Sequence, residues 1–110
     1  MIYGAYGYSG ELMVREAIKQ GIKPVVAGRI AEKLLPIANE LGLEYRAFSV
    51  KDAPGYLQDV TVLLNCAGPF SATAEALAKA CLSQKVHYLD ITGEIDVFAM
   101  RWTMKPKAVT

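Results

Sequence analysis

Met1-Ile2-Tyr3-Gly4-Ala5-Tyr6-Gly7-Tyr8-Ser9-Gly10 is the stretch that decides the fold. It joins a short apolar run to a helical pattern through a turn that has glycine at positions 4, 7 and 10. So tight a turn needs residues that tolerate positive φ, which glycine adopts at little steric cost. A helix is predicted to begin at Ser9 or Gly10, so that its unpaired N–H groups face whatever lies over the turn. The G-x-x-G-x-x-G spacing favours a dinucleotide site over a glycine-rich turn that binds nothing.

The composition is that of an ordinary globular domain. A chain of 110 residues, 53% of them hydrophobic, is expected to form one domain with its own core. A net charge of +1, with both signs mixed along the chain, argues against a nucleic-acid or membrane surface. Cys66 and Cys81 form no C-x-x-C motif, so we expect buried free thiols and no metal site. No apolar stretch reaches ~20 residues and no signal peptide is recognisable, so the expected location is the cytoplasm.

Strand and helix patterns alternate along the rest of the chain. After the first strand, further strands are predicted over residues 24–28, 43–50, 60–65 and 86–89. Helices are predicted from the glycine turn to Gly21, over 31–41, over 71–83 and from Gly93 to Met100. This order predicts an α/β fold, a Rossmann-type doubly wound parallel sheet of about five strands in the order 3-2-1-4-5. The loops after strands 1 and 4 should then line one crevice.

The helical patterns predict which side chains face the sheet. For the second helix these are Ala31, Leu34, Leu35, Ala38 and Leu41, and for the third Ala74, Leu77, Ala78 and Cys81. Pro36 is inconsistent with the second helix, because proline in a helix interior removes a hydrogen bond and clashes with the preceding turn. Either the helix kinks there, or residues 30–34 form a separate turn and the helix begins near Pro36.

The second predicted strand ends in Ala27-Gly28-Arg29. A domain that prefers NAD would place an acidic residue here, to accept hydrogen bonds from the ribose hydroxyls. A guanidinium can instead hold a 2′-phosphate through paired, charge-assisted hydrogen bonds. We therefore expect NADP rather than NAD as the ligand, the alternative being a solvated arginine at a helix start.

Two later stretches lie at the predicted ligand-binding edge of the sheet. Asn65-Cys66-Ala67-Gly68-Pro69-Phe70 follows strand 4, and its small residues would let the backbone pass beneath a cofactor, although a plain connector explains them too. His87-Tyr88-Leu89-Asp90-Ile91-Thr92-Gly93-Glu94 places polar groups at the end of strand 5. Alternation puts His87 and Leu89 on one face, and Tyr88 and Asp90 on the other. Asp90 and Glu94 either cap a helix, which is favoured, or face a substrate.

Together these stretches resemble the N-terminal NADP-binding domain of the saccharopine dehydrogenase-like oxidoreductases, a group also labelled trans-acting enoyl reductases. The four matching stretches occur in the family's order and cover residues 1 to about 98. The resemblance implies that Gly4, Gly7 and Gly10 hold the pyrophosphate, that Arg29 contacts the 2′-phosphate, and that the loop at Cys66 to Pro69 passes near the ribose and nicotinamide. The predicted cofactor-binding residues are Gly4, Tyr6, Gly7, Tyr8, Ser9, Gly10, Gly28, Arg29, Cys66, Ala67, Gly68 and Pro69. No catalytic residue is predicted.

The chain also departs from the family pattern. Ser49 stands where relatives often carry an acidic residue after strand 3, which leaves the contact on the adenine side open. Family members continue into a large substrate domain, so residues 1–100 are assigned to the dinucleotide-binding domain and 101–110 to the start of a truncated continuation. Trp102 in that tail either packs against the domain or is exposed.

Three functions are consistent with these residues. The first is the cofactor half of an NADP-dependent oxidoreductase, which positions nicotinamide for hydride transfer to a carbonyl, imine or enoyl substrate. On this hypothesis the 110-residue chain is inactive without a second domain. The others are a module that senses NADP(H), and a structural module whose exposed strand 5 pairs with another chain to form an oligomer. No tyrosine has a lysine four residues on, so catalysis of the short-chain-dehydrogenase type is disfavoured.

Overall fold

The computed structural model describes residues 1–68 and 70–90. Their elements are β1 Ile2–Tyr3, α1 Tyr8–Lys19, β2 Val26–Gly28, α2 Ala31–Leu41, β3 Tyr45–Ala47, a 3₁₀ helix Val50–Tyr56, β4 Val62–Asn65, α3 Phe70–Ser83 and β5 His87–Asp90. All strand pairs are parallel, and their order β3-β2-β1-β4-β5 confirms the predicted topology. Pro69, the stretch Ile91 to Glu94, the predicted helix from Gly93 and the tail with Trp102 lie outside the described residues.

The first helix begins and ends close to the predicted positions. It starts at Tyr8, one residue before the earlier of the two predicted starts. Gly21 follows the helix with φ +85°, its N–H donates to the carbonyl of Ile18 at 3.0 Å, and the N–H of Ile22 donates to Ala17 at 2.9 Å. This pair of hydrogen bonds is the Schellman arrangement, in which glycine is favoured because it accepts positive φ. The predicted helix stop at Gly21 is confirmed.

The second helix is continuous from Ala31 to Leu41, with Pro36 inside it. The alternative in which the helix begins near Pro36 is therefore wrong. The predicted inward position of Leu35 is also wrong, because that side chain is 37% exposed while Ile37 is buried. At about 100° per residue, Leu35 and Ile37 lie about 80° to either side of the direction shared by Leu34 and Ala38, so the helical pattern does not choose between them, and packing against the sheet buries the side that carries Ile37.

Both faces of the sheet are covered, as a doubly wound fold requires. One hydrophobic cluster lies under α1 and α2 and includes Ile2, Val14, Val26, Leu34 and Ile37. The other lies under α3 and the 3₁₀ helix and includes Tyr3, Phe48, Leu63, Leu77 and Cys81. Neighbouring strand residues such as Ile2 and Tyr3 belong to opposite clusters, because side chains alternate between the faces of a strand. All the inward positions predicted for α3 are buried.

The two cysteines are buried and unpaired, as predicted. Burial raises the pKa of the Cys66 thiol to about 11 and that of Cys81 to about 12, so both are protonated near neutral pH. Within residues 1–68 and 70–90, no three His, Cys, Asp or Glu side chains are grouped so that they could hold a metal ion. The helices in this part of the chain are too short or too polar to cross a membrane.

Candidate functional site

A cleft of about 470 Å³ lies at the carboxyl ends of β1, β2 and β4. The turn after β1 forms part of its wall, and the segment Cys66-Ala67-Gly68, which follows β4, forms another part. The strands β1 and β4 are neighbours, but α1 and α3 pack on opposite faces of the sheet, so the chain diverges here and leaves an opening. The volume is within the range of small-molecule and cofactor sites, about 300–1,000 Å³.

Most of the predicted cofactor-binding residues line this cleft. The lining residues from the predicted set are Gly4, Tyr6, Gly7, Gly28, Arg29, Cys66, Ala67 and Gly68. Tyr8, Ser9 and Gly10 are not among them, and Tyr8 is 84% exposed on α1. Pro69 lies outside the described residues, so its role stays a prediction.

Sequence reasoning missed three lining residues, Tyr3, Val50 and Thr73, and considered Ser49 only as a departure from the family. Tyr3 could have been found, because it is the last residue of β1 and directly precedes the glycine turn. Val50 and Thr73 depend on how the 3₁₀ helix and α3 are oriented against the sheet. No local pattern in the sequence carries that information.

The glycines of the turn allow three backbone segments to approach one another. Gly4 has φ +82°, and a Cβ at this position would lie 2.7 Å from the backbone nitrogen of Ala67. A Cβ at Gly10 would overlap the carbonyl oxygen of Gly4, so Gly10 packs α1 against the turn rather than lining the cleft. Gly7 caps α1 without a side-chain hydrogen bond to the first helical turn. The N–H groups of that turn therefore remain available for an anion.

Gly28 provides the same kind of close approach at the end of β2. A Cβ there would lie 2.5 Å from Cε2 of Tyr6, which shows that the Tyr6 ring packs directly on the glycine backbone. The ammonium of Lys33, in the first turn of α2, lies 5.6 Å from the centroid of the same ring, within the range of a cation–π contact. Tyr6 thus connects the glycine turn to the end of β2 and the start of α2.

Arg29 directly follows β2 and lines the cleft next to Gly28. Other arginines in the described part of the chain are held by carboxylates. Arg15 forms a bidentate pair of hydrogen bonds with Glu40, and Nε of Arg46 donates a hydrogen bond to Glu44 at 2.7 Å. Arg29 has no ion pair within residues 1–68 and 70–90, so its exposed guanidinium is available to an anionic ligand.

Tyr3 is a buried tyrosine of the cleft lining. Its hydroxyl donates a hydrogen bond to the carbonyl of Phe48 at 2.8 Å. The pKa of Tyr3 is raised, first by burial and then by Tyr6, while the charge of Arg29 acts in the opposite direction. Tyr3 therefore stays a neutral phenol, and the influence of Arg29 on it agrees with a guanidinium beside the cleft.

None of the polar residues of β5 is in the cleft lining: Asp90 ends the strand next to Asn65, whereas His87 begins the strand at its opposite end. As predicted, Tyr88 and Asp90 share one face, and the Tyr88 hydroxyl donates to Oδ2 of Asp90 at 3.0 Å. Tyr88 is buried and also accepts a hydrogen bond from Nδ2 of Asn65 at 3.1 Å. The Tyr88 hydroxyl is therefore part of an internal network, and it does not line the cleft.

These features fit the phosphates of a dinucleotide: backbone approaches that a Cβ would block, a helix N-terminus without a side-chain cap, and an arginine that forms no ion pair with any residue the structure describes. The family model of the saccharopine dehydrogenase NADP-binding domain matches residues 1–109. The chain belongs to this family. The resemblance seen in the sequence is thereby confirmed, as is the Rossmann-like NADP-binding domain that it implied.

Curated relatives agree with this assignment. The chain is 26% identical to a saccharopine dehydrogenase-like oxidoreductase of Bos taurus, over 98% of this chain and 30% of the relative. It is also 26% identical to the human protein of the same name, over 86% of this chain and 27% of the relative. A relative of Arabidopsis thaliana, named as a probable mitochondrial saccharopine dehydrogenase-like oxidoreductase, is 30% identical over 86% of this chain and 25% of its own length.

The chain therefore spans less than a third of the length of these relatives. It corresponds to the NADP-binding domain of saccharopine dehydrogenase-like oxidoreductases. The domain boundary near residue 100, the cytoplasmic location and the pairing of chains through the sheet edge stay predictions.

Proposed function

We propose that this domain binds NADP(H) in preference to NAD(H) and presents the nicotinamide for hydride transfer to a carbonyl, imine or enoyl substrate held by a second domain. The observation that carries the proposal is the position of Arg29. It lies at the edge of the cleft after β2, with no carboxylate bound to it among the described residues. A 2′-phosphate on the adenosine ribose is the group that distinguishes NADP from NAD at this position.

The residues around Arg29 support this preference. Gly28 occupies the end of β2, where an acidic side chain would repel a phosphate, and its lack of a side chain makes room for the Tyr6 ring. Lys33 adds a second positive charge beside that ring. A doubly charged 2′-phosphate gains more than a neutral ribose hydroxyl from two cations that form no ion pair among residues 1–68 and 70–90.

The remaining residues would hold the rest of the dinucleotide. The N-terminus of α1 and the backbone at Gly4 to Gly7 would hold the pyrophosphate, and the segment Cys66 to Gly68 would border the nicotinamide half. When bound, the nicotinamide supplies or accepts the hydride. The chain's own contribution is binding and orientation, while substrate contact and exclusion of water belong to the second domain of the whole protein.

Fluorescence titration of the wild-type protein, Arg29→Met and Arg15→Met with NADPH and NADH tests the cofactor preference. Methionine keeps the aliphatic stem and removes the charge. Arg29→Met should weaken NADPH binding by roughly 1–3 kcal/mol, or about 5- to 150-fold, and change NADH binding less than about twofold. Arg15→Met removes an exposed charge on α1, outside the cleft lining, and should change neither affinity.

An equal loss for both nucleotides in Arg29→Met would refute the role of Arg29. Wild-type protein that binds neither nucleotide would leave only the structural-module hypothesis. The reaction itself is tested with a whole protein that contains this domain and with carbonyl, imine and enoyl compounds as substrates. Oxidation of NADPH with one of these classes is the expected result, and binding without oxidation of NADPH in any of them would support the sensing module.

A further inference from the structure

The side chains of Asn65 and Thr73 form hydrogen bonds with the N–H and the carbonyl of Ala67. The N–H of Ala67 donates to Oδ1 of Asn65 at 2.9 Å, and its carbonyl accepts from the Thr73 hydroxyl at 3.0 Å. Nδ2 of Asn65 in turn donates to Oγ1 of Thr73 at 3.1 Å. Asn65, Thr73 and the Ala67 peptide groups therefore form a closed ring of hydrogen bonds, which we call the Ala67 clamp.

The clamp lies where the regular pairing of β4 with β1 stops. The N–H of Cys66 still donates to the carbonyl of Tyr3 at 2.8 Å, as in the strand ladder. At Gly4 the first strand turns away, so Ala67 needs another partner for its N–H. Asn65 supplies that partner, and the resulting position brings Ala67 so close to Gly4 that only a glycine fits there.

Asn65 itself is held firmly. Its side chain is fully buried, and the second hydrogen of its amide goes to the Tyr88 hydroxyl, which is bonded to Asp90. The amide thus uses both its donors and its oxygen inside the protein. Asn65 is not a lining residue of the cleft, whereas Cys66, Ala67, Gly68 and Thr73 are. Any effect of Asn65 on a ligand must therefore pass through the segment that it holds.

We propose that Asn65 and Thr73 are positioning residues, whose clamp on Ala67 sets the wall of the cleft in the conformation that accepts the nicotinamide half of the dinucleotide. The inference rests on the proposed function, because it concerns how the same cleft is shaped. A prepositioned wall strengthens binding, because the ligand does not have to order the Cys66–Gly68 segment when it binds.

Substitutions at Thr73 test the clamp directly. Thr73→Val has nearly the same shape but no hydroxyl, and Thr73→Ser keeps the hydroxyl. Ser83→Ala is the matched control, because the Ser83 hydroxyl also donates to a backbone carbonyl of α3, that of Ala80 at 2.8 Å, at the end of the helix remote from the cleft. Affinity for NADPH is measured by fluorescence titration. Exchange of the Ala67 amide hydrogen is measured by NMR without nucleotide, well below the unfolding temperature of each variant.

Thr73→Val should raise the dissociation constant for NADPH about 2- to 10-fold, the range for loss of one neutral hydrogen bond. It should also accelerate exchange of the Ala67 amide at least about tenfold, because the clamp opens without unfolding the domain. Thr73→Ser should restore both values to within about twofold of the wild type. Ser83→Ala should lower thermal stability slightly without changing either value.

Asn65→Asp is a second, independent variant. Its carboxylate still accepts from Ala67, but the Thr73 hydroxyl must then direct its single hydrogen to the carboxylate instead of the Ala67 carbonyl. The same loss of NADPH affinity is expected, although Asn65 does not line the cleft. If this variant does not fold, the Thr73 pair decides the question.

The outcomes separate the clamp from the cofactor. Wild-type protein that does not bind NADPH would overturn the proposed function. Wild-type protein that binds NADPH, together with a Thr73→Val variant that has unchanged affinity and unchanged exchange of the Ala67 amide, would overturn only the clamp. A weaker affinity with unchanged exchange would also overturn it, since Thr73 would then act by direct contact with the ligand.

Discussion

Substitution of Gly4 by alanine tests the close approach of the two loops at the base of the cleft. Gly4 has φ +82°, and the added Cβ would meet the backbone nitrogen, Cα and Cβ of Ala67 at 2.7, 2.8 and 2.9 Å. None of these atoms belongs to a flexible side chain that could rotate away. Gly21 is a matched control within the chain, because it has φ +85° but nothing within 4 Å of an added Cβ.

Both variants place alanine at a positive φ, but only Gly4→Ala also adds an overpacking cost against Ala67. Alanine at positive φ costs about 1–2 kcal/mol, which is partly offset by about 0.4–1 kcal/mol because alanine restricts the unfolded chain. Gly21→Ala should therefore lose about 1 kcal/mol of unfolding free energy. Gly4→Ala carries in addition an overpacking cost of about 1–3 kcal/mol, because Ala67 and Gly4 must separate. Its total loss should be about 2–4 kcal/mol.

Urea unfolding followed by circular dichroism measures both losses, with the m-value checked for each variant. A difference of about 2 kcal/mol between the variants corresponds to about 8–16 °C in unfolding temperature for a domain of this size. Gly4→Ala should also weaken NADPH binding, whereas Gly21→Ala should leave it unchanged. Equal losses of stability within about 0.5 kcal/mol would show that the contact between Gly4 and Ala67 is not as tight as the structure has it.

Two further predictions concern the thiol in the cleft and the proline in α2. The Cys66 thiol, whose pKa burial raises to about 11, should react with iodoacetamide at pH 8 at least about tenfold more slowly in the native protein than in urea. The stability that the buried, protonated Cys66 thiol contributes is present below the unfolded pKa near 9 and is lost as the pH rises towards 11. The unfolding temperature should therefore fall over that interval. Equal alkylation rates in native and unfolded protein would contradict the burial of Cys66. Pro36→Ala should raise the unfolding free energy by about 0.5–2 kcal/mol, because it adds a helical N–H donor inside α2. Thermal unfolding measures this change. A loss of stability would show instead that proline stabilises the protein at this position.

The sequence was sufficient for features that depend on local pattern. The apolar strand before Gly4, the helix stop at Gly21 and the alternation of Tyr88 with Leu89 each follow from a few neighbouring residues. Strand order followed as well, because the handedness of parallel crossovers leaves few topologies open. Family membership followed from four short stretches in a fixed order.

Other features needed the tertiary structure. In α2 the structure buries Ile37, where the sequence pattern predicted Leu35. The helix has more than one apolar face of similar width, and only its packing against the sheet determines which face is buried. Val50 and Thr73 join the cleft only because the 3₁₀ helix and α3 turn towards it. Gly10 is part of the predicted motif, but only the structure shows that it allows α1 to pack against the backbone of Gly4 and does not line the cleft.

The sequence by itself therefore determined the parallel sheet, the glycine turn and the arginine after β2, because each of these features depends on residues that are close together along the chain. Only the tertiary structure decided how Asn65, Ala67 and Thr73 form a clamp against Gly4. The physical reason is that a hydrogen bond or a close contact depends on distances of a few tenths of an ångström between separate segments. Residue types and their spacing do not specify such distances.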